Sequence, residues 1–359
     1  MKILGIETSC DETALAIIEV KGELNNPKIS IIKEVLNSQV EIHKQYGGVY
    51  PMAAKREHIL NLPILLKEIG LSKEDKPDID FIAVTSGPGL EPCLWTGIKF
   101  AEELSQAWNI PILPTNHMEG HIASALLKQD FGNSKEQDTT NKIEFPILAL
   151  LISGGHTELV YAKEWGEYEI VSHTLDDAVG EAYDKVARIL GLPYPGGPEI
   201  SKLAKSGRDE NLSDVNIKFP RMMMNDNPNF SLSGLKTSVL YKVKEIGELT
   251  EDKKKIVAKE FENAVVDLLT RKTKSVIINR QPKTFISAGG VTANKYIKEK
   301  LTELATEFNI PAIFPPQNLS TDNAVMIAVA GYVKQFKTKP QMVLDIKAEG
   351  NLSLENLSK

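Results

Sequence analysis

Two histidines four residues apart, in the run His117-Met118-Glu119-Gly120-His121, are the strongest chemical signal in the chain. On a helix that spacing puts both imidazoles on one face, where they can reach a common ion. Asn116 suits an N-cap and would place both rings in the first turn and a half. A zinc-protease helix needs a Glu directly after its first histidine to act as base. Met118 holds that position here and Glu119 points to another face, so a metalloprotease is disfavoured. A second signal is Ser320-Thr321-Asp322-Asn323-Ala324, which opens a helical stretch. Asp322 is either an ordinary cap or a third ligand, since two histidines and one carboxylate with open positions form a familiar catalytic metal set.

Glycines supply the next group. Ser153-Gly154-Gly155 is a strand-to-strand turn whose backbone N–H groups could cradle a phosphate. Tyr194-Pro195-Gly196-Gly197-Pro198 precedes a helix beginning near Glu199, and Ser287-Ala288-Gly289-Gly290-Val291-Thr292-Ala293-Asn294 runs from strand into helix. Glycine there lets backbone approach a ligand, and a helix N-terminus favours an anion. Each is an ordinary turn on its own; together they read as a nucleotide cleft. Neither a P-loop nor a Gly-x-Gly-x-x-Gly fingerprint is present. Asp184, inside a helix that starts with the acids Asp176 and Asp177, could hydrogen-bond ligand hydroxyls. Asp11 and Glu12 read as exposed turn acids that could serve as a catalytic base or hold metal-bound water.

These residues need elements to hold them. Lys2 to Ile6 is an apolar strand, Thr8 to Glu12 a polar turn, and Thr13 to Val20 resumes alternation, so the chain opens with a β-hairpin. The same grammar returns roughly 145 residues further on, with Pro146 to Ile152, the turn Ser153-Gly154-Gly155-His156, and Thr157 to Tyr161. Between and after them come strands at Ile29–Leu36, Phe81–Thr85, Ile112–Pro114, Thr284–Ser287 and Ala312–Phe314. Helices are expected at Ala53–Ile69, Gly97–Trp108, Asp177–Leu190, Thr250–Asn279, Asn294–Phe308 and Thr321–Phe336. Alternating strands and helices indicate an α/β fold, here duplicated, with a ligand clamped in the intervening cleft. The polar stretch Gln129–Lys142 marks the boundary. The expected division is 1–128 for a first lobe with the histidine motif and 145–320 for a second, glycine-rich lobe. A closing helix at 321–337 would pack back on the first lobe, and a tail at 338–359 would pack loosely.

Composition narrows the class. The 359 residues are 42% hydrophobic and 25% charged, ordinary globular values. No apolar run reaches the roughly 18–20 residues that cross a bilayer, and Glu7 falls too early for a signal peptide. Two cysteines, Cys10 and Cys93, suit a reducing, cytoplasmic setting without disulfides. A net charge of −6 argues against coating nucleic acid by a general positive field. Lys253–Lys255 with Lys259, and Arg271, Lys272, Lys274, Arg280 and Lys283, read as solvated helix faces, with a local basic face as the alternative.

Taken in order, the motifs resemble the tRNA N6-adenosine threonylcarbamoyltransferase family (TsaD, the O-sialoglycoprotein endopeptidase-like proteins), in its bacterial-type wording. The resemblance covers about residues 1–336 and rests on Gly5-Ile6-Glu7-Thr8-Ser9-Cys10-Asp11-Glu12-Thr13, Ser86-Gly87-Pro88-Gly89, Asn116 to His121 and Ser153 to Thr157. It continues through Gly180 to Lys185, Tyr194 to Gly197, Phe230 to Thr237, Gly289 to Asn294 and Ser320 to Asn323. It implies an actin/Hsp70/sugar-kinase (ASKHA) fold with an interlobe nucleotide cleft and the two hairpin turns as phosphate loops. It implies one divalent metal per chain on His117, His121 and Asp322, Fe(2+) with Zn(2+) as the alternative, and Mg(2+) accompanying bound nucleotide. Backbone of Leu151, Ile152, Ser153, Gly154 and Gly155, with Asp184, Gly197 and Asn294, would bind threonylcarbamoyl-AMP. The implied reaction places the threonylcarbamoyl group on N6 of the adenosine 3′ of the anticodon in tRNAs reading ANN codons. The implied partners are tRNA, a TsaB-like paralogue and a TsaE-like ATPase. Tyr183, where Phe is common, and the long segment Gln129–Lys142 depart from the pattern. The rival readings are a small-molecule kinase of the same superfold and a nucleotide-binding chaperone-like protein.

Overall fold

A computed structural model describes residues 1–24, 27–128, 140–221, 227–342 and 345–355. Most of the segment Gln129–Lys142, namely 129–139, lies outside the described residues. The described chain forms two compact units, one of 1–145, 162–169 and 313–359, the other of 146–161 and 170–312.

The first unit is built on a five-stranded sheet in the order β3-β2-β1-β4-β5, with β1 Lys2–Glu7, β2 Glu12–Lys21, β3 Lys28–Ser38, β4 Phe81–Gly87 and β5 Ile112–Asn116. β1 pairs antiparallel with β2 and parallel with β4, so it lies at the centre. Residues 3–7 are all buried, which is why the strand reads as an unbroken apolar run rather than an alternating one. Helices α1 Val40–His43, α2 Pro51–Glu68, α3 Glu91–Trp108 and α4 His117–Ala123 come next in this unit. Leu62, Leu65, Ile98, Ala101 and Leu104 of α2 and α3 share a core cluster with Leu4, Ile6, Ile82 and Val84.

The second unit repeats this order. Its sheet is built from β6 Ile147–Ile152, β7 Thr157–Glu164, β8 Glu167–His173, β9 Thr284–Ala288 and β10 Ala312–Ile313, arranged β10-β9-β6-β7-β8, with 162–169 and Ile313 counted in the first unit. Counting from its own first strand, each sheet runs third, second, first, fourth, fifth, and β6 pairs parallel with β9 as β1 does with β4. Helices α5 Val179–Ile189, α6 Gly196–Asp209, α7 Ser233–Ile246, α8 Glu251–Arg280 and α9 Lys295–Glu307 belong here. The last helix, α10 Ala324–Lys334, belongs to the first unit.

Two differences from the sequence expectations have physical causes. α3 begins at Glu91, six residues before Gly97, because Pro92 suits the first turn and Gly97 is a mid-helix contact. A Cβ at Gly97 would lie 2.3 Å from Thr8 Oγ1. The tail, expected to pack loosely, is instead bound by its backbone. Gln341 bridges Ile112, Glu349 N donates to Ser86 O at 2.9 Å, and Gly89 N donates to Gly350 O at 3.0 Å. Ile346 and Leu354 are buried. Main-chain bonding of this kind leaves no hydrophobic period to read.

Candidate metal centre and phosphate cradle

Two asparagines fix the starts of the helices that carry the first site. Asn116 caps α4: its Oδ1 accepts from Met118 N at 2.8 Å and Glu119 N at 3.2 Å, as the sequence suggested. Its Nδ2 donates to Leu352 O at 3.2 Å, tying the cap to the tail. At the other helix the cap is Asn323, whose Oδ1 accepts from Met326 N at 2.9 Å. Capping therefore falls to Asn323 and leaves Asp322 free to turn elsewhere. α10 itself is buried along Ala324–Val333, and it lies directly on the sheet because β1 has no side chain at Gly5. A Cβ there would be 2.1 Å from Ala324 O.

This framework brings His117, His121 and Asp322 together. One ligand atom from each lies within 4.8 Å of the others. Asp322 Oδ1 is 3.4 Å from His117 Nε2 and 3.2 Å from His121 Nε2. Both nitrogens of His121 are buried without a hydrogen-bond partner among the described residues, so the approach to Asp322 is not an aligned hydrogen bond. Bonds of about 2.1 Å to one ion, at tetrahedral to octahedral angles, would set donor atoms roughly 3.0–3.4 Å apart. The orphaned nitrogens of His121, the two distances to Asp322 and the two-imidazole, one-carboxylate set fit a borderline divalent ion. Burial opposes charge on His117 and on Asp322. At His117 the Asp322 and Glu7 carboxylates outweigh it and hold the imidazolium well above its usual range. At Asp322 the two imidazoles outweigh it and hold the carboxyl well below its usual range.

Sequence reading missed Glu7. It ends β1, is fully buried, and places Oε2 3.3 Å from His117 Nδ1. Its only sequence signal was a charged residue at the end of a wholly apolar strand. Asp11 and Glu12, expected as exposed acids, are not: Asp11 is 8% exposed and Glu12 is half-buried. The β2–β3 register sets Glu12 opposite Ser38, whose Oγ donates to Glu12 Oε1 at 3.2 Å. Burial, then the charges of Asp11 and Asp322, push the Glu12 carboxyl well above its usual range. Glu119 turns away from the histidines, accepts from Tyr168 Oη at 3.0 Å, and is raised by burial to about 7.

The second unit gathers the glycines. Leu151 and Ile152 are buried at the end of β6 and lead into Ser153-Gly154-Gly155. Gly180 N donates to Ser153 O at 3.1 Å, and a Cβ on Gly180 would sit 2.8 Å from Gly154 Cα. Gly289, at φ +96°, closes on Ile152, where a Cβ would be 2.5 Å from the carbonyl oxygen. By contrast, a Cβ on Gly154, Gly155 or Gly197 would meet nothing within 4 Å. Asp184 Oδ1 accepts from Gly196 N at 2.7 Å, holding the start of α6, and burial raises its carboxyl. Asn294 caps α9 through Tyr296 N at 3.0 Å and Ile297 N at 3.1 Å, while its Nδ2 donates to Glu262 Oε1 at 2.5 Å. Glu262, a second residue the sequence did not reveal, also takes Arg208 Nη1 at 2.6 Å and the Tyr183 hydroxyl at 3.4 Å. The hydroxyl of Tyr183 therefore has a buried partner, and the Arg208 guanidinium lies 3.5 Å from the centroid of the Tyr296 ring.

Known proteins point the same way. Residues 30–329 match the family model described as TsaD, tRNA N6-adenosine threonylcarbamoyltransferase. A protein of that name from Thermosipho africanus is 43% identical over 356 residues, which is 99% of this chain and 100% of the relative. Another from Bacillus subtilis is 43% identical over 361 residues, 99% of this chain and 96% of the relative. Among solved structures, T. kodakarensis HypF aligns with a TM-score of 0.54 at 14% identity. That alignment covers 96% of this chain and 50% of HypF, so the chain spans about half of that protein. The Clostridium difficile activator of 2-hydroxyisocaproyl-CoA dehydratase, solved with bound ADPNP, aligns with a TM-score of 0.50 at 14% identity, covering 97% of this chain and 100% of the activator. At such identities the likeness concerns the fold alone. With the duplicated strand order, it makes the architecture α/β of the actin/Hsp70/sugar-kinase type.

Proposed function

The chain belongs to the tRNA N6-adenosine threonylcarbamoyltransferase family, and from that premise we propose that it transfers the threonylcarbamoyl group of threonylcarbamoyl-AMP to N6 of the adenosine 3′ of the anticodon in tRNAs reading ANN codons. The observation that carries this reading is the convergence of His117, His121 and Asp322 in a chain matched to the family along nearly its whole length. Those three residues hold one divalent metal, iron(II) or zinc. When bound, the ion supplies Lewis-acid polarisation of the threonylcarbamoyl carbonyl, which a weakly nucleophilic aromatic amine needs.

The chain's own residues do the rest. Asn116 and Asn323 fix the helix starts beside the ligands, so the two rings and the carboxylate are in place before substrate arrives. Gly154 and Gly155 offer backbone N–H groups to the phosphate, Leu151, Ile152, Ser153 and Gly197 line the approach to it, and Asp184 and Asn294 hold the adjoining helix starts within reach of the nucleotide. The amine nitrogen forms the new carbonyl bond, the carbonyl–phosphate oxygen bond breaks, AMP leaves, and the amine proton passes to a carboxylate. Glu12, raised above an ordinary carboxyl, and Asp11 beside it are assigned that proton. Bound nucleotide brings Mg(2+).

No helix among the described residues is long and apolar enough to cross a membrane, which suits a cytoplasmic tRNA enzyme. With a net charge of −6, the chain binds tRNA with help from partners, here a TsaB-like paralogue and a TsaE-like ATPase. The test combines the chain with threonine, bicarbonate, ATP, an adenylate-forming enzyme and tRNA, with and without those partners. Mass spectrometry should detect N6-threonylcarbamoyladenosine. ATP consumption with a sugar or carboxylate acceptor and no tRNA product would favour the kinase reading. Binding should require the adenylate, so equal affinity for threonylcarbamate lacking AMP would count against the phosphate assignment.

A further inference from the structure

The His117 ring is gripped on its far edge. While Nε2 faces Asp322, Nδ1 lies 3.3 Å from Glu7 Oε2 and 3.2 Å from Ser9 Oγ. Glu7 is itself immobilised: Oε1 accepts from Ser9 N at 2.6 Å, and Oε2 accepts from Thr85 Oγ1. An ionised carboxylate can only accept. If Nδ1 presented a lone pair, two electron-rich atoms would face each other in a fully buried site. With an ion between Nε2 and Asp322, the one proton of the neutral ring sits on Nδ1, the rotatable Ser9 hydroxyl adapts to it, and the Nε2 lone pair is left for the ion. His121 has no such buttress, since neither of its nitrogens is hydrogen-bonded among the described residues.

We propose that Glu7 is a positioning residue for the metal centre: by holding the Nδ1 proton of His117, it fixes the ring and its tautomer so that Nε2 is the ligand atom. This rests on the metal assignment made above. It gives a task to a carboxylate that is neither one of the three converging ligands nor exposed to solvent. Carboxylate–histidine pairs of this kind tune metal affinity while lying outside the coordination sphere.

Glu7→Gln keeps the shape but must turn an NH2 toward either the Ser9 N–H or the Thr85 hydroxyl and His117 Nδ1–H, so one of these contacts becomes donor against donor. Competition titration of the full chain with Zn(2+) alone should show about a 10–100-fold loss of affinity. Ser9→Ala should stay close to wild type. The loss should vanish in a His117→Ala background and persist in a His121→Ala background, because the effect runs through one ring. A purely structural Glu7 would lower affinity equally in both. Nitrogen NMR of the Zn(2+)-loaded wild type needs no variant: it should find Nδ1 of His117 protonated and Nε2 on the metal, and the reverse assignment overturns the proposal. Equal Zn(2+) binding by wild type and His117→Ala would remove the metal assignment and this inference together. A normal His117→Ala loss with an unaffected Glu7→Gln removes the inference alone.

Discussion

The two units solve opposite problems with similar scaffolds. In the first, the side chains proposed to hold a metal must be kept still, and the fastenings are Asn116 at the start of α4, Asn323 beside Asp322 and Glu7 behind His117. In the second, side chains must be absent, and Gly154, Gly155 and Gly197 face open space while Gly180 and Gly289 let backbone segments close behind the turn. A metal site needs defined donor atoms, whereas a phosphate needs bare N–H groups. The same strand order can serve either, because the chemistry lies in the turns and helix starts beyond the strand ends.

Substitutions at glycine separate these two roles. The largest cost is expected for Gly5→Ala, where the new methyl would press on backbone at Ala324 O and push α10, and with it Asp322, away from β1. About 3 kcal/mol of stability should be lost in denaturant titration, with weaker Zn(2+) binding. Gly289→Ala comes next. Its left-handed φ and the Ile152 carbonyl both resist a side chain, so about 2 kcal/mol should be lost, with weaker nucleotide binding and unchanged Zn(2+) affinity. Asn116→Ala removes a cap and the tie to Leu352, costing about 1 kcal/mol and loosening the histidine helix enough to lower metal affinity. Smallest in stability is Gly155→Ala, within about 0.5 kcal/mol of wild type, yet AMP binding measured by calorimetry should fall. If Gly155→Ala left AMP affinity intact, the open turn would have no ligand to answer to and the contrast between the units would fail.

Much of this was legible in the sequence. The two hairpins announced the duplication, and Asn116 was readable as a cap because its side chain acts within three residues. The i, i+4 histidines were readable for the same local reason. Asp322 was legible only as one of two options, cap or ligand, since Asp322 and Asn323 are both good caps; in the fold Asn323 takes the cap and Asp322 faces the histidines. Glu7 and Glu262 were hidden because their partners are distant in sequence: His117 for one, Asn294 and Arg208 for the other. The basic run at Arg271–Lys283 was read too simply. Lys272 is buried and bonds Asn227 O, and Lys274 pairs with Glu307, so tertiary contacts divide what the sequence groups. α7 escaped notice because only Leu235 and Val239 of its fourteen residues are buried.

Group transfer to tRNA is proposed to depend on the residues that converge in the first unit. The most direct test is single-turnover transfer from threonylcarbamoyl-AMP to tRNA, partners included, by wild type and by the His117→Ala/His121→Ala double variant at matched folded concentration. Wild type should give modified adenosine and the variant none above background, with the variant's circular dichroism and AMP binding intact. Full transfer by the metal-free double variant would contradict this dependence.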